Sequence, residues 1–168
     1  NFRRKLLGLP DQPDDGGSYD LVVVGAGLAG VCAAVSAARN GIKVALVQDR
    51  PVLGGNASSE VRVWPEGHTN QQPFPHIGDI VNEILVPRPK TKGSLNGTAA
   101  ENFDDDRKMR VVKAEPNLTL FTHHRAIATE KVGQSIAAVV IQSTLDSRRK
   151  RLRGRLFADC TGDAVIGY

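Results

Sequence analysis

The apolar positions of this chain fall into short unbroken runs separated by turn residues. The first run, "YDLVVVG" at 19–25, has the form of a strand buried on both faces of a parallel sheet. In "LAGVCAAVSAARN" at 28–40, Leu28, Val31 and Val35 recur at helical spacing among alanines. That spacing predicts a helix, which Gly41 would end in a left-handed C-cap. "IKVALV" at 42–47 reads as a second buried strand. Strand, glycine loop, helix and strand in succession make a βαβ unit, expected to be right-handed with parallel strands.

The flanking segments are read the same way. "PDQPDDGGS" at 10–18 is a polar cluster of breakers, which sets a flexible N-terminal segment, 1–18, apart from one domain over 19–168. Residues 65–76 contain Pro65, Pro73 and Pro75 and are expected to be loop. Helices are expected over 77–85 and 101–115, divided by a Pro- and Gly-containing loop at 87–98. "NLTLFT" at 117–122 reads as a third parallel strand. "RAIATEKV", "SIAAVVIQSTL" and "RKRLRGRLFADC" follow as β-like runs broken by "GQ" and "DS", the pattern of a meander. The expected class is α/β: a Rossmann-like dinucleotide-binding domain with a central parallel sheet, helices and an inserted β-meander.

Composition changes this picture in few places. The 168 residues suit one compact domain. No apolar run reaches the roughly eighteen residues of a membrane span. The formal charge of +4 suggests a polyanion partner until it is localised: leaving out Arg148, Arg149, Lys150, Arg151, Arg153 and Arg155 turns it into −2. With no aromatic residues interleaved to stack bases, that run is read as a solvated hairpin, and no nucleic-acid partner is expected. Cys32 and Cys160 form no CxxC pair, so a disulfide framework is not expected. The chain does not begin with Met and its start lacks a signal-peptide core. Cytoplasmic placement, or periplasmic or secreted placement after loss of a leader, both stay open.

Chemistry enters with "VVVGAGLAGVCAA". Gly25, Gly27 and Gly30 have GxGxxG spacing after a strand and at the start of a helix. Gly25 permits the tight turn, Gly27 lets backbone approach a pyrophosphate, and Gly30 lets the helix pack on the strand. The free N–H groups and dipole of the helix start attract phosphate charge. In such a site an acidic residue near the end of the second strand bonds a ribose hydroxyl. Asp49 stands nineteen residues past Gly30, and Gln48 ends the apolar run. Alternation along the strand should turn the two apart, and both remain candidates.

"VQDRPVLGGNASSE" at 47–60 then places a double glycine and a run of small residues just after the second strand. A plain tight turn is one reading; a second backbone surface for a long cofactor is the other. "LFADCTGD" at 156–163 ends a buried strand in Thr161, Gly162 and Asp163, small enough at the first two positions for close backbone approach.

These three motifs, in this order over 19–168, resemble the FAD-dependent oxidoreductases with two dinucleotide-binding folds, among them relatives of glutathione reductase, succinate dehydrogenase and fumarate reductase. The match is close to uncharacterised bacterial FAD-dependent oxidoreductase families carrying "LGGNASSE". The resemblance implies FAD as cofactor. It implies that Gly25, Ala26, Gly27, Leu28, Ala29 and Gly30 surround the pyrophosphate, and that Gln48, Asp49 and Arg50 lie around the adenosine ribose. The family often carries Glu where Gln48 stands. Gly54, Gly55, Asn56, Ala57 and Ser58 would run beside pyrophosphate, ribityl and flavin. Backbone at Ala126, near the start of the meander, would pair with adenine, and Thr161, Gly162 and Asp163 would form the second cofactor-facing strand end. The disulfide reductases of this superfamily carry a cysteine pair after the double glycine. Here that stretch is Asn56-Ala57-Ser58-Ser59-Glu60, which excludes thiol–disulfide chemistry by that route.

The activity so implied is transfer of a hydride or two electrons between a small-molecule substrate and FAD. Arg62 is a candidate to approach the flavin. The family's substrate domain and C-terminal FAD segment follow the Thr-Gly-Asp strand, so the chain is expected to be a fragment or to work with a companion chain. "DAVIGY" is read as the start of a helix. An NAD(P)-binding dehydrogenase domain and a non-catalytic dinucleotide-binding subunit are the alternatives. No metal site is expected. His123 and His124 are adjacent on a presumed strand and face apart, His68 and His76 lie in the proline-rich loop, and Asp104, Asp105 and Asp106 fan around a helix. Cys160 is read as a small buried strand residue.

Overall fold

A computed structural model describes residues 2–88 and 93–167. Six strands form one mixed sheet in the order β3-β2-β1-β6-β5-β4. Strands β3 (Leu118–Phe121), β2 (Val44–Val47), β1 (Asp14–Val24) and β6 (Arg149–Asp159) are parallel. β5 (Ser135–Ser143) and β4 (His124–Val132) continue antiparallel from β6. The central parallel sheet and the inserted meander expected from the sequence are both present, joined through the long strands β1 and β6.

Side-chain alternation sorts these strands between two cores. Val23, Val44 and Leu46 point to one face and pack with Val31, Ala34, Val35 and Ala38 of α2 (Leu28–Arg39). Ile84 of α3 (Asp79–Ile84) and Val112 of α4 (Asp105–Ala114) complete that core. Val22, Val24, Ala45 and Val47 point the other way and meet Val139, Ile141 and Leu152 of the meander. Because β2 is covered on both faces, it reads as a continuous apolar run.

The meander folds over this second face. Only Thr122 and His123 separate β3 from β4, yet the two strands stand at opposite ends of the hydrogen-bonded order. The sheet curls until its ends approach: the His124 N–H donates to the Gln48 carbonyl at 2.9 Å. His123 carries the turn with φ 57°, so it is not on a strand as the sequence suggested.

Two further expectations are corrected. The lead-in over 10–18 is strand from Asp14 onward, where β1 lies against the basic part of β6. Asp14 is opposite Lys150 and Asp15 opposite Arg151, with an ion pair from Arg153 to Asp15 at 2.8 Å. Complementary charge across the strands thus orders a segment whose composition alone reads as flexible. A short helix, α1 (Phe2–Leu6), precedes it. The helix expected over 101–115 is two: a 3-10 turn at Ala100–Phe103 and α4, divided at Asp104. Asp104 adopts φ 36° and its carboxylate caps α4 by accepting from the Arg107 N–H at 3.0 Å.

The other helices follow their signals. α2 ends at Arg39, with Asn40 as C-cap and Gly41 following at φ 79°, as the C-cap reading requires. The helix expected over 77–85 spans Asp79–Ile84. Of the loop expected over 87–98, residues 89–92 lie outside the described residues, as does Tyr168 of "DAVIGY"; Val165–Gly167 form a turn. The basic run on β6 is largely matched by carboxylates: Arg151 pairs with Glu130, Arg153 with Asp15 and Arg155 with Asp20. Among the described residues no helix is long and apolar enough to cross a membrane.

Candidate functional site

The carboxyl ends of the parallel strands open onto a cleft of about 940 Å³, in the range of small-molecule and cofactor sites. Ligands of open α/β sheets bind at this edge. Three backbone segments meet there, and their contacts explain their glycines.

The first is the turn from β1 into α2. Gly25 has φ 96°, and a Cβ there would strike the Cys160–Thr161 peptide. Gly30 lies against the Gly25 carbonyl, so the helix sits as close to the strand as its backbone allows. Gly27 differs from both. Its φ is −64°, open to any residue, and among the described residues, its two chain neighbours aside, no atom lies within 4 Å of where its Cβ would stand. Gly27 also lines the cleft. Gly27 is also the N-cap of α2, and no side chain caps the helix. The helix start therefore presents uncapped N–H groups and its positive dipole end to the cleft beside Leu28 and Ala29.

The second segment is the double glycine after β2. Gly54 (φ 107°) donates to the Ala26 carbonyl at 2.8 Å and bridges to Gly27. A Cβ on Gly55 would stand 3.1 Å from the Gly27 Cα. A 3-10 turn over Gly55–Ala57 follows, closed by the Ser58 hydroxyl, which donates to the Gly55 carbonyl at 2.7 Å. Gly54, Gly55, Asn56 and Ala57 line the cleft.

The third segment follows β6. Asp159 organises it: one carboxylate oxygen accepts from the Thr161 N–H at 3.1 Å and hydroxyl at 2.6 Å, the other from the Ile166 N–H at 2.6 Å. Burial pushes the Asp159 carboxyl up, but these hydrogen bonds together hold it below its ordinary 3.8. Thr161, Gly162 and Asp163 all line the cleft. From the meander, Ala126 lines the opposite wall beside His124, Arg125 and Ile127.

Gln48 and Asp49 both line the cleft, but their side chains are differently engaged. The Gln48 side chain is 6% exposed, its Oε1 accepts from the Ala26 N–H at 3.0 Å, and its Nε2 donates to the Val52 carbonyl at 3.2 Å. Its amide thus stitches the first glycine loop to the second. Asp49 is exposed and lines the cleft, as does Arg50, whose guanidinium pairs with Glu60 at 2.9 Å.

Most of the residues singled out in the sequence therefore reach one cleft. Ala26, Gly30 and Ser58 do not line it: Ala26 is fully buried with both backbone groups used, Gly30 is packed on the strand, and Ser58 holds its own turn. Arg62 does not line it either. It is exposed at φ 60°, and its flanking residues Val61 and Val63 form the wall. His68 and His76 are exposed, and His76 faces Asp79 at 3.0 Å. Cys160 lines the cleft, but burial and the neighbouring Asp159 push its thiol up, away from the thiolate. Among the described residues no group of three His, Cys, Asp or Glu side chains is placed to hold a metal.

Sequence reasoning missed Asp105 and Lys108, which lie behind the double glycine. The side chain of Lys108 is fully buried, and the Asp105 carboxylate accepts from the Ser59 N–H at 3.1 Å. The acidic cluster reads as a solvated helix face, and nothing local marks Lys108 for burial.

Comparison with known proteins shows the family and the fold. A family model described as FAD dependent oxidoreductase matches residues 20–168. A fumarate reductase (cytochrome) of Shewanella frigidimarina is 42% identical over 91 residues, 54% of this chain and 16% of that protein. A soluble pyridine nucleotide transhydrogenase of Ectopseudomonas mendocina is 54% identical over 41 residues, 24% of this chain and 9% of its own length. The chain thus spans less than a fifth of these relatives. Among solved structures, THI4 of Thermovibrio ammonificans superposes with TM-score 0.58 at 21% identity, covering 89% of this chain and 60% of that one. Quinol fumarate reductase FrdA of E. coli gives TM-score 0.57 at 16% identity, covering 86% and 32%. The chain belongs to the FAD dependent oxidoreductase family, enzymes whose cofactor is FAD.

Proposed function

We propose that the cleft holds FAD along the three backbone segments and that the whole protein transfers a hydride or two electrons between a small-molecule substrate and this cofactor. The observation that carries the reading is the open position above Gly27: a helix N-cap without a capping side chain, facing a cleft that a Cβ would enter. Such a cradle fits a pyrophosphate, which needs backbone N–H donors and close approach. Gly25–Gly30 would form that cradle, with Ala26 and Gly30 acting from beneath it. Gly55–Ala57 would extend the contact along the cofactor, and Ser58 would hold their turn. Thr161, Gly162 and Asp163 would close the floor, and backbone at Ala126 would meet the adenine.

The ribose is assigned to Asp49, with Arg50 beside it. Both Gln48 amide atoms already have protein partners, while the Asp49 carboxylate is free to accept from a hydroxyl. Bound FAD supplies the redox chemistry, and the protein holds and orients it. The substrate would be held with residues of a further domain or companion chain. The half-exposed Val61, Val63, Ile127 and Val165 at the cleft support this as an apolar rim to be covered.

The test is the absorbance spectrum of the purified full-length protein and of its heat-released cofactor. A flavin spectrum that chromatographs as FAD is expected. A colourless protein that binds NADH tightly and takes up no FAD would overturn the reading.

A further inference from the structure

Lys108 is an anomaly of α4. Its side chain is fully buried although the helix is strongly polar, and it is among the largest side chains with no access to solvent. Burying an ammonium is costly unless it is paired and hydrogen-bonded, and Met would fill similar space without that cost. Its contacts point toward the double glycine. The stem runs directly beneath Gly54: a Cβ there would stand 2.7 Å from Lys108 Cε and 2.9 Å from Cδ. The ammonium donates to the Phe103 carbonyl and pairs with Asp105 at 3.5 Å. Asp105 in turn receives the Ser59 N–H at the far end of the same loop, at 3.1 Å. Gly54 passes the connection on through its N–H to the Ala26 carbonyl.

We propose that Lys108 is a positioning residue for FAD: with Asp105 it forms a strut between α4 and the loop 54–59, setting that loop against Gly27 without itself touching the cofactor. The inference rests on the FAD reading of the cleft. The strut supports the loop at both ends, with the lysine stem under Gly54 and the aspartate at Ser59. The ammonium holds the end of the 3-10 turn at Phe103 against α4, across the break at Asp104. Burial drives the Lys108 ammonium toward the neutral form, and the Asp105 charge opposes this. The pair is thus mutually dependent, and removing either member should loosen the loop.

The experiment compares full-length wild type, Lys108→Met and Asp105→Ala. It reads amide hydrogen exchange over 54–59 without cofactor, the FAD dissociation constant, and the visible band shape of bound flavin. Asp105 is partly exposed, so D105A keeps the test in hand if K108M fails to fold. Expected are faster exchange at 54–59 with β1 and β2 unchanged, an FAD dissociation constant raised about tenfold or more by K108M and several-fold by D105A, and an altered flavin band. Wild-type affinity, band shape and loop exchange in the folded variants would overturn the strut. Failure of wild type to bind FAD would instead defeat the FAD reading, and exchange at 54–59 would still decide whether the strut exists.

Discussion

The side chain of Gln48 and the backbone of Ala26 are joined by a buried hydrogen bond of 3.0 Å, and the same amide reaches the Val52 carbonyl at 3.2 Å. One residue at the end of β2 thereby fixes the spacing of two glycine loops. Gln48→Met leaves a buried N–H and a carbonyl without partners, which costs about 2–4 kcal/mol. Gln48→Glu keeps an acceptor for Ala26 but sets a carboxylate against the Val52 carbonyl. Its loss of stability should shrink on acidification, as the carboxyl gains a proton it can donate. Denaturant unfolding of both variants checks this, and wild-type stability in Gln48→Met would contradict it.

Gly54 carries two constraints at once, a φ of 107° and the Lys108 stem beneath it. Gly54→Ala should cost about 2–4 kcal/mol, the sum of backbone strain and overpacking. Denaturant unfolding measures the loss. A change below about 0.5 kcal/mol, the usual range of surface substitutions, would rule out tight packing of Gly54 on Lys108.

The turn after β6 should be acid-sensitive through Asp159. Its carboxyl is held below 3.8 in the folded protein, so the unfolded chain takes up the proton at higher pH. The stabilisation is fully present above the unfolded value and is lost as pH falls through the folded one. Thermal unfolding followed from neutral pH to about pH 3 should show a shallower acid decline in Asp159→Asn than in wild type. Parallel declines would refute the assignment.

Arg39 links three helices, with Glu83 on α3 at 2.8 Å and Glu115 beyond α4 at 2.8 Å. The guanidinium is about 40% exposed, which limits its worth. Arg39→Ala should cost about 1 kcal/mol or less, and the difference should shrink in high salt. Denaturant midpoints at low and high salt provide the check.

The parts legible in the sequence were those written in local pattern. The βαβ unit, the glycine loop, the double glycine and the Thr-Gly-Asp strand each carry their own signal, and shared strand ends bring them to one cleft. What was not legible depends on distant partners. The sequence leaves Gln48 and Asp49 both as ribose candidates because β2 is buried on both faces, which hides where a polar residue at its end will point. The hydrogen bonds of Gln48 to Ala26 and Val52 arise only when both loops are in place. Lys108 is buried by a loop more than fifty residues earlier in the chain. The break at Asp104 had a signal in the acidic residues before "RKMRVV", since aspartate is a good N-cap, but the left-handed backbone there did not. The apolar pattern starts β1 only at Tyr19, whereas its first residues pair with arginines of β6.

If the backbone at Gly27 faces a bound FAD, Gly27→Ala will weaken FAD binding without unfolding the protein. The conformation there suits alanine, and among the described residues, the two chain neighbours aside, no atom stands within 4 Å of the added methyl group. Alanine is a poorer N-cap than glycine but lowers the entropy of the unfolded chain, so stability should stay within about 1 kcal/mol of wild type. The methyl group would occupy the approach to the pyrophosphate, so FAD titration of the folded variant should show affinity at least about tenfold weaker, a loss of 1.4 kcal/mol or more. A folded Gly27→Ala protein that binds FAD as tightly as wild type would show that the cofactor does not lie against Gly27.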